Sequence, residues 1–162
     1  MLDYVYGHDE VVSRFVADLI PHMGGRGFAP NAKAIGVIDE EGRLIGGLVY
    51  HNYEPAAAII EISGAAIHPR WLTRGTIARM YQYPFITCGC QMVFQRTPAD
   101  DERLLGQLAA YDYSFVNVPR MFGRERDGVL CTLTVEDWAN NRFNKRLKHH
   151  QIEMDAPQQE AA

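Results

Sequence analysis

The chain has 162 residues, of which 47% are apolar and 22% are charged, and its formal net charge is −4. This length is enough for one domain with its own hydrophobic core. The acidic balance, with a pI near 5.8, argues against a surface built mainly to bind nucleic-acid phosphates. No apolar run approaches the roughly 20 residues of a membrane helix, and the first residues lack the layout of a signal peptide. Because its three cysteines cannot all pair within one chain, a reduced, cytoplasmic protein is predicted.

The spacing of apolar residues, glycines and prolines predicts the elements of one domain. Helices are indicated where apolar side chains recur every three or four residues, as at Val12, Phe15, Val16 and Leu19. The predicted order is a strand at 1–6, a helix from 9 that Pro21 stops, strands at 34–38, 43–53 and 57–67, a helix at 71–83 that Pro84 ends, a strand at 90–95, a helix opened by 97–98, and strands at 115–118 and 129–135. The three consecutive strands, joined by short turns, predict an antiparallel meander.

The domain is predicted to occupy residues 1–138, followed by a C-terminal tail at 139–162. The tail ends in MDAPQQEAA, a composition typical of disordered segments, and it lacks an apolar stripe. We therefore expect it to be dispensable for folding. Its basic residues could contact nucleic acid, although such a run is more often a solvated helix end; they are Arg142, Lys145, Arg146, Lys148, His149 and His150.

The stretch IIEISGAAIHPRWLTRGT, residues 59–76, carries the clearest functional signal. A strand with Glu61 in its middle gives way to Arg70, Arg74 and Gly75 at the start of a helix. The first N–H groups of a helix lack partners and its dipole attracts anions, so this helix start can bind phosphate. A buried carboxylate is unfavourable unless it is paired, protonated or used chemically. Together these features predict group transfer from a phosphate-bearing cofactor.

This stretch and the element order resemble the GNAT superfamily of N-acetyltransferases over roughly residues 1–138. The resemblance implies an α/β protein with a mixed sheet, in the order β-α-β-β-β-α-β-α-β-β, that binds acetyl-CoA. The family's pyrophosphate loop usually reads Gln/Arg-x-x-Gly-x-Gly/Ala. This chain keeps Gly75 but has Leu72 at the first position and Ile77 at the last. The implied pyrophosphate-binding residues are Thr73, Arg74, Gly75 and Thr76.

The same resemblance assigns roles along the predicted strand at 57–67. Glu61, six residues before Ile67, matches the general base of histone-acetylating members. The family splays this strand from the next one so that the pantetheine arm can insert, and Gly64 is a plausible place for the bulge that does this. Free backbone groups of Ala65, Ala66 and Ile67 would then bind the arm.

The remaining assignments concern the acid, the acceptor pocket and metal. Tyr111 or Tyr113 is expected to protonate the leaving thiolate, as a tyrosine near that place does in many members. A polar strand end and a glycine-rich loop are expected to contact the acceptor, through His51, Tyr53 and Arg26. Cys88-x-Cys90 has no second pair at zinc spacing, so no metal is predicted.

Three functions are compatible with this sequence. The first is direct transfer of an acetyl group from acetyl-CoA to an amine. The second is a nucleobase-modifying enzyme, since residues 70–74 together with 83–85 are similar to a GNAT subgroup of phage and prophage genomes. The third is a GNAT-fold binding protein without catalysis, as the departures at Leu72 and Ile77 allow. Nucleic acid is a possible but not favoured partner, a membrane is not expected, and a homodimer is possible.

Overall fold

One mixed sheet forms the centre of the molecule, and the computed structural model describes residues 1–145. Within these residues the sheet has seven strands, β1 (Asp3–Val5), β2 (Lys33–Ile38), β3 (Leu44–Glu54), β4 (Ile59–Ala66), β5 (Met92–Pro98), β6 (Ser114–Val118) and β7 (Gly128–Thr134). The helices are α1 (Asp9–Leu19), α2 (Arg74–Gln82), α3 (Glu102–Ala110) and α4 (Val135–Asn140). A 3-10 turn (Pro21–Met23) follows α1, and a π-helical turn (Tyr83–Thr87) follows α2.

The strands lie in the order β1-β2-β3-β4-β5-β7-β6. Neighbours are antiparallel except β4 and β5, which are parallel. The predicted α/β fold and order of elements are confirmed, and α4 is an addition. A parallel pair needs a crossover, and α2 provides it.

The helices divide between the two faces of the sheet, because successive strand residues point to opposite faces. On one face α1 buries Val12 and Val16 against Ala34 and Val49. On the other face α2 and α3 cover a larger core, which includes Leu48, Tyr50, Ile60, Ile62, Met80, Tyr81, Val93, Leu108, Tyr111, Tyr113 and Leu133. Glu61 lies between Ile60 and Ile62 on the strand, so its side chain belongs to the α1 face.

Helix α2 differs at both ends from its predicted range. It begins at Arg74 because Thr73 is its N-cap, with Thr73 Oγ1 accepting from the Thr76 N–H at 3.2 Å. It does not end at Pro84 but continues into the π-helical turn, where Cys88 N–H donates to Tyr83 O at 2.9 Å. Proline has no N–H to give to Met80 O, and the Tyr50 hydroxyl donates to that carbonyl instead, at 2.8 Å.

Residues beyond the predicted domain end at 138 pack on the domain. Trp138 stacks on Phe85 with ring centroids 4.9 Å apart, and Phe143 stacks on Tyr111 at 5.2 Å. Asn141 and Asn144 are buried. The part of the predicted tail at 139–145 therefore docks, through one aromatic side chain rather than an apolar stripe. Arg146, Lys148, His149 and His150 lie outside the described residues.

Candidate active site

The parallel pairing of β4 with β5 is short, and the two strands diverge beyond it. The paired residues are Ile59 with Met92, Ile60 with Val93 and Glu61 with Phe94. Strand β4 nevertheless continues to Ala66, and β5 continues to Pro98 paired with β7. Gly64 is exposed and Ile67 is 62% exposed, although β4 is the central strand. We call this opening, between residues 62–67 and residues 95–98, the splay.

No bulge at Gly64 produces the splay. The register of β4 with β3 runs unbroken from Glu61 to Ala66, so the predicted bulge is absent. A Cβ at Gly64 would instead lie 3.1 Å from the Trp71 ring. The absence of a Cβ at Gly64 therefore leaves room for the Trp71 ring against the sheet.

Backbone groups along one edge of β4 point into the splay. Ile67 N–H donates to Ile45 O at 2.9 Å, on the β3 side. Because antiparallel ladders alternate, Ala65 also faces β3, whereas Gly64 and Ala66 face the splay. Of the three residues predicted to bind the cofactor arm, Ala66 thus has its main chain on the correct side, while the Ile67 N–H is not free.

The N-terminus of α2 lies just beyond the end of β4. Two of its amides are engaged: Thr73 N–H donates to Trp71 O at 3.0 Å, and Thr76 N–H donates to the Thr73 cap. Within residues 1–145 the Arg74 and Gly75 amides have no acceptor, and the Arg74 side chain is exposed. An anion at this helix end would therefore meet two amides and one guanidinium.

The hydroxyl groups of Tyr4 and Thr76 form hydrogen bonds that hold the N-terminus of α2 in position. The Tyr4 hydroxyl lies 3.0 Å from Thr76 Oγ1, which donates to Trp71 O at 2.7 Å. The Thr76 side chain is fully buried. A Cβ at Gly75 would lie 2.9 Å from the Tyr4 hydroxyl. Thr76 and Gly75 therefore shape the loop, and the Thr76 side chain does not face the opening.

Glu61 lies at the closed end of the splay and is 3% exposed. Arg96 binds it through two contacts, Nε to Oε1 at 2.8 Å and Nη2 to Oε2 at 3.1 Å. Asn52 Nδ2 donates to Oε2 at 2.7 Å. The ion pair raises the pKa of Arg96. Three donors thus hold the carboxylate, and the Arg96 side chain remains 49% exposed.

A bulge in β3 brings Asn52 to Glu61. The register with β4 shifts between His51 and Glu54, and Asn52 has a positive φ of 50°. His51 lies directly opposite Glu61 and its Nε2 is 2.9 Å from Ser63 Oγ. Burial lowers the pKa of His51 below 6.5, against the attraction of Glu61. His51 is thus a neutral neighbour of the carboxylate at pH 7.

Arg26 and Tyr53, the other two residues predicted to contact the acceptor, form no hydrogen bond with Glu61. Arg26 donates from Nε to Met23 O at 3.0 Å and lies in the loop after α1. Tyr53 is exposed beyond the bulge. Phe28 from the same loop packs on His51, with ring centroids 4.7 Å apart. The loop therefore covers the α1 face beside Glu61.

The two tyrosines proposed as acids are both buried on the opposite face. Tyr111 stacks on Tyr81 with ring centroids 4.8 Å apart, and burial raises its pKa to about 12. The Tyr113 hydroxyl lies 2.9 Å from that of Tyr81 and accepts from Gln95 Nε2 at 3.2 Å. Gln95 is the first β5 residue past the pairing with β4, so Tyr113 is linked to the splay. Burial also raises the pKa of Tyr113.

Other features lie away from this site. A cavity of about 460 Å³ is lined by Tyr6, Lys33, Tyr50, Arg79 and Tyr83, towards the C-terminal end of α2. In the described residues, no three His, Cys, Asp or Glu side chains are grouped to hold a metal. Within the same part of the chain, no helix has the length and hydropathy to cross a membrane.

Comparison with known structures identifies the fold. The sequence matches no protein-family model and no curated protein. A structure of mutant forms of the spermidine/spermine N-acetyltransferase SpeG from Vibrio cholerae superposes with a TM-score of 0.70, at 13% identity over 86% of this chain and 98% of that one. The fold is that of the GNAT acetyltransferases. A T. thermophilus protein provisionally assigned as an acetyltransferase superposes with a TM-score of 0.61, at 17% identity over 75% and 68% of the two chains.

These GNAT neighbours support the resemblance at the level of the superfamily fold. They give no support to the phage-type subgroup. The residue of the candidate site that the sequence did not indicate is Arg96, which binds Glu61. Its side chain is 49% exposed, so the strand pattern did not require a carboxylate partner, and its pairing with Glu61 follows from the parallel register of β4 and β5.

Proposed function

We propose that this protein is an acyl-CoA-dependent N-acetyltransferase that transfers an acetyl group directly to an amine. The observation that carries the proposal is the splay, which opens at an α2 N-terminus with two unengaged amides. An extended cofactor arm needs backbone partners, and its phosphates need N–H donors and positive charge. The two requirements are met side by side on β4 and α2.

The residues available suit acetyl-CoA. The main chains of Gly64 and Ala66 would pair with the pantetheine arm in place of a strand. The Arg74 and Gly75 amides, with the Arg74 guanidinium, would hold the pyrophosphate. Leu72 and Ile77 depart from the usual loop pattern, but backbone amides do not depend on side-chain identity.

Bound acetyl-CoA would supply a thioester whose C–S bond breaks as the acceptor nitrogen bonds to the acyl carbon, the amine losing one proton and the thiolate gaining one. Glu61 is proposed to take the amine proton through a water on Oε1, which accepts one hydrogen bond from Arg96, whereas Oε2 accepts two, from Arg96 and Asn52. Tyr113, which Gln95 links to the splay, is a better candidate than Tyr111 to donate to the thiolate.

Calorimetric titration with CoA and acetyl-CoA tests the cofactor assignment. Arg74→Glu should weaken binding by about 1–3 kcal/mol, because it replaces a charge-assisted contact with repulsion. Arg103→Glu makes the same charge change on exposed α3 and is the matched control. Absence of CoA binding by the unmodified protein, or equal losses in the two variants, would contradict the proposal.

A binding protein without catalysis is the second candidate, and the Glu61–Arg96 ion pair favours it. A carboxylate held by three donors, two of them from an arginine, has a structural role without any chemistry. CoA binding without thiol release over amines, peptides and DNA would support this candidate. Thiol release with DNA alone would support the nucleobase-modifying alternative, for which no contact in residues 1–145 argues.

Self-association is also part of the proposal. A SpeG neighbour of similar fold is described as dodecameric. Light scattering coupled to size-exclusion chromatography would measure the number of chains per particle, and a monomer would contradict self-association.

A further inference from the structure

An acceptor amine must approach Glu61 from the α1 face of the sheet. Glu61 and its cross-strand neighbour His51 both point to that face, and Phe28 from the loop after α1 packs on His51. The cofactor-binding helix α2 covers the other face. The charges around Glu61 on the α1 face therefore decide which amines can enter.

Three arginines converge near this entrance, and we call them the arginine rim: Arg26, Arg96 and Arg126. Arg26 and Arg126 flank His22, in the 3-10 turn: Arg26 Nε donates to Met23 O at 3.0 Å, and Arg126 O accepts from the Phe122 N–H at 3.1 Å. Arg96 reaches the same side from β5, where it binds Glu61. Burial is the largest cause that lowers the pKa of His22, followed by Arg126, Arg96 and Arg26, with Asp101 opposing. The His22 ring also packs on Phe122, with centroids 4.8 Å apart, which brings the turn to the β6–β7 loop. The three arginines thus oppose protonation of His22, and Asp101 favours it.

Three acidic groups beside the rim already have partners, and Glu125 and Asp127 line the surface around Arg126 with Asp100. Glu61 is held by Arg96 and Asn52. Asp100 accepts from Arg126 Nη2 at 2.9 Å, and Asp101 accepts from Leu104 N–H at 3.1 Å as the α3 N-cap. These carboxylates are therefore poorly placed to bind an incoming ammonium group.

The arginines of the rim, in contrast, have guanidinium N–H groups that donate to no other residue in the described part of the chain. Arg96 and Arg126 each use Nε and Nη2, and Arg26 uses Nε alone. Their remaining guanidinium N–H groups have no acceptor among the described residues. Planar N–H donors of this kind match the oxygens of carboxylates and phosphates.

We infer that the acceptor is a small amine that also carries a carboxylate or phosphate group close to its amino group, and that the arginine rim binds this anionic group; the inference rests on the proposed function. Spermidine, the substrate named for the SpeG neighbours, has no anionic group and would meet the rim as a polycation. The net charge of −4 disfavours a long polyanion such as DNA. A small, locally anionic amine satisfies both conditions.

Thiol release from acetyl-CoA over matched amine pairs tests this inference. Each pair differs by one anionic group: putrescine and ornithine, tyramine and tyrosine, ethanolamine and O-phosphoethanolamine, with spermidine alongside. We expect kcat/KM to be higher for the anionic member of at least one pair by about tenfold or more, since a hydrogen bond to a charged group is worth that factor. The first two pairs report on carboxylate and the third on phosphate. The preference should shrink as NaCl concentration rises.

Variants of the rim complete the test. Arg26→Gln and Arg126→Gln should each raise KM for the preferred anionic amine with little change in kcat, whereas Arg103→Gln on α3 should change neither. A preference for spermidine or for the pair members that lack the anionic group would overturn the inference while leaving the proposed function standing. A preference for the anionic amines that both rim variants leave intact would do the same. If CoA binds but none of the anionic amines is turned over or binds in calorimetry, the inference is likewise overturned. Loss of CoA binding would instead contradict the proposed function.

Discussion

Glu61 and Arg96 form a two-contact ion pair at the point where β4 and β5 separate, with N–O distances of 2.8 and 3.1 Å. The carboxylate is buried and the guanidinium is half exposed. The pair therefore joins the closed end of the splay to the surface from which the acceptor is proposed to arrive. It can serve folding, chemistry and recognition, and these roles predict different outcomes.

Glu61→Gln should lower turnover while leaving CoA affinity unchanged if Glu61 accepts the amine proton. Gln keeps the size and most hydrogen bonds but cannot take the proton, so the rate should fall by ~10²–10⁴-fold. Steady-state rates measured against pH should also lose the rising limb expected of the unmodified protein. If the variant turns over at the rate of the unmodified protein and keeps its pH profile, Glu61 is not the base.

Arg96→Gln should destabilise the fold more than Glu61→Gln does. It leaves a buried carboxylate with Asn52 as its remaining donor, whereas Glu61→Gln leaves a half-exposed guanidinium that water can solvate. The double variant should be more stable than the sum of the two single losses predicts, because no unpaired charge remains. Urea unfolding of the four proteins measures this coupling, and simple additivity would show that the pair is not coupled.

Stability should fall as pH decreases below about 6.5. Burial lowers the pKa of His22 and His51 from the unfolded-chain value of 6.5. The folded state then binds fewer protons than the unfolded state, so these groups stabilise the fold above 6.5, and that contribution is lost as pH falls towards their folded pKa values. Melting temperatures between pH 7.5 and pH 5 should show the slope, and His51→Asn should flatten it. An equal slope in the variant would exclude His51 as its source.

Truncation should separate residues 139–145 from the rest of the predicted tail. A chain that ends after Lys145 should keep its melting temperature within a few degrees. A chain that ends after Trp138 loses Phe143, which packs on Tyr111, at a cost of about 1–3 kcal/mol for a partly buried ring. Phe143→Ala in the full chain is the matched control and should reproduce most of that loss. Equal melting temperatures for both truncations would show that Phe143 adds nothing to stability.

The sequence by itself determined the order of elements and the step from β4 to α2. Those features depend on local periodicity, on Gly and Pro, and on a helix start with unpaired amides, all of which lie within a few residues of one another. It also singled out Glu61, since a carboxylate in an apolar strand stands out in any one stretch.

Only the tertiary structure decided which groups surround Glu61 and the helix end. Arg96 lies 35 residues from Glu61 along the chain, and they meet because the parallel register sets Glu61 opposite Phe94. Tyr4 reaches Thr76 from the far edge of the sheet, 72 residues away. Such contacts depend on the register and layer of distant strands, which local spacing does not encode. For the same reason, the positive side of the acceptor entrance became visible only once the loop after α1, β5 and the β6–β7 loop were brought together.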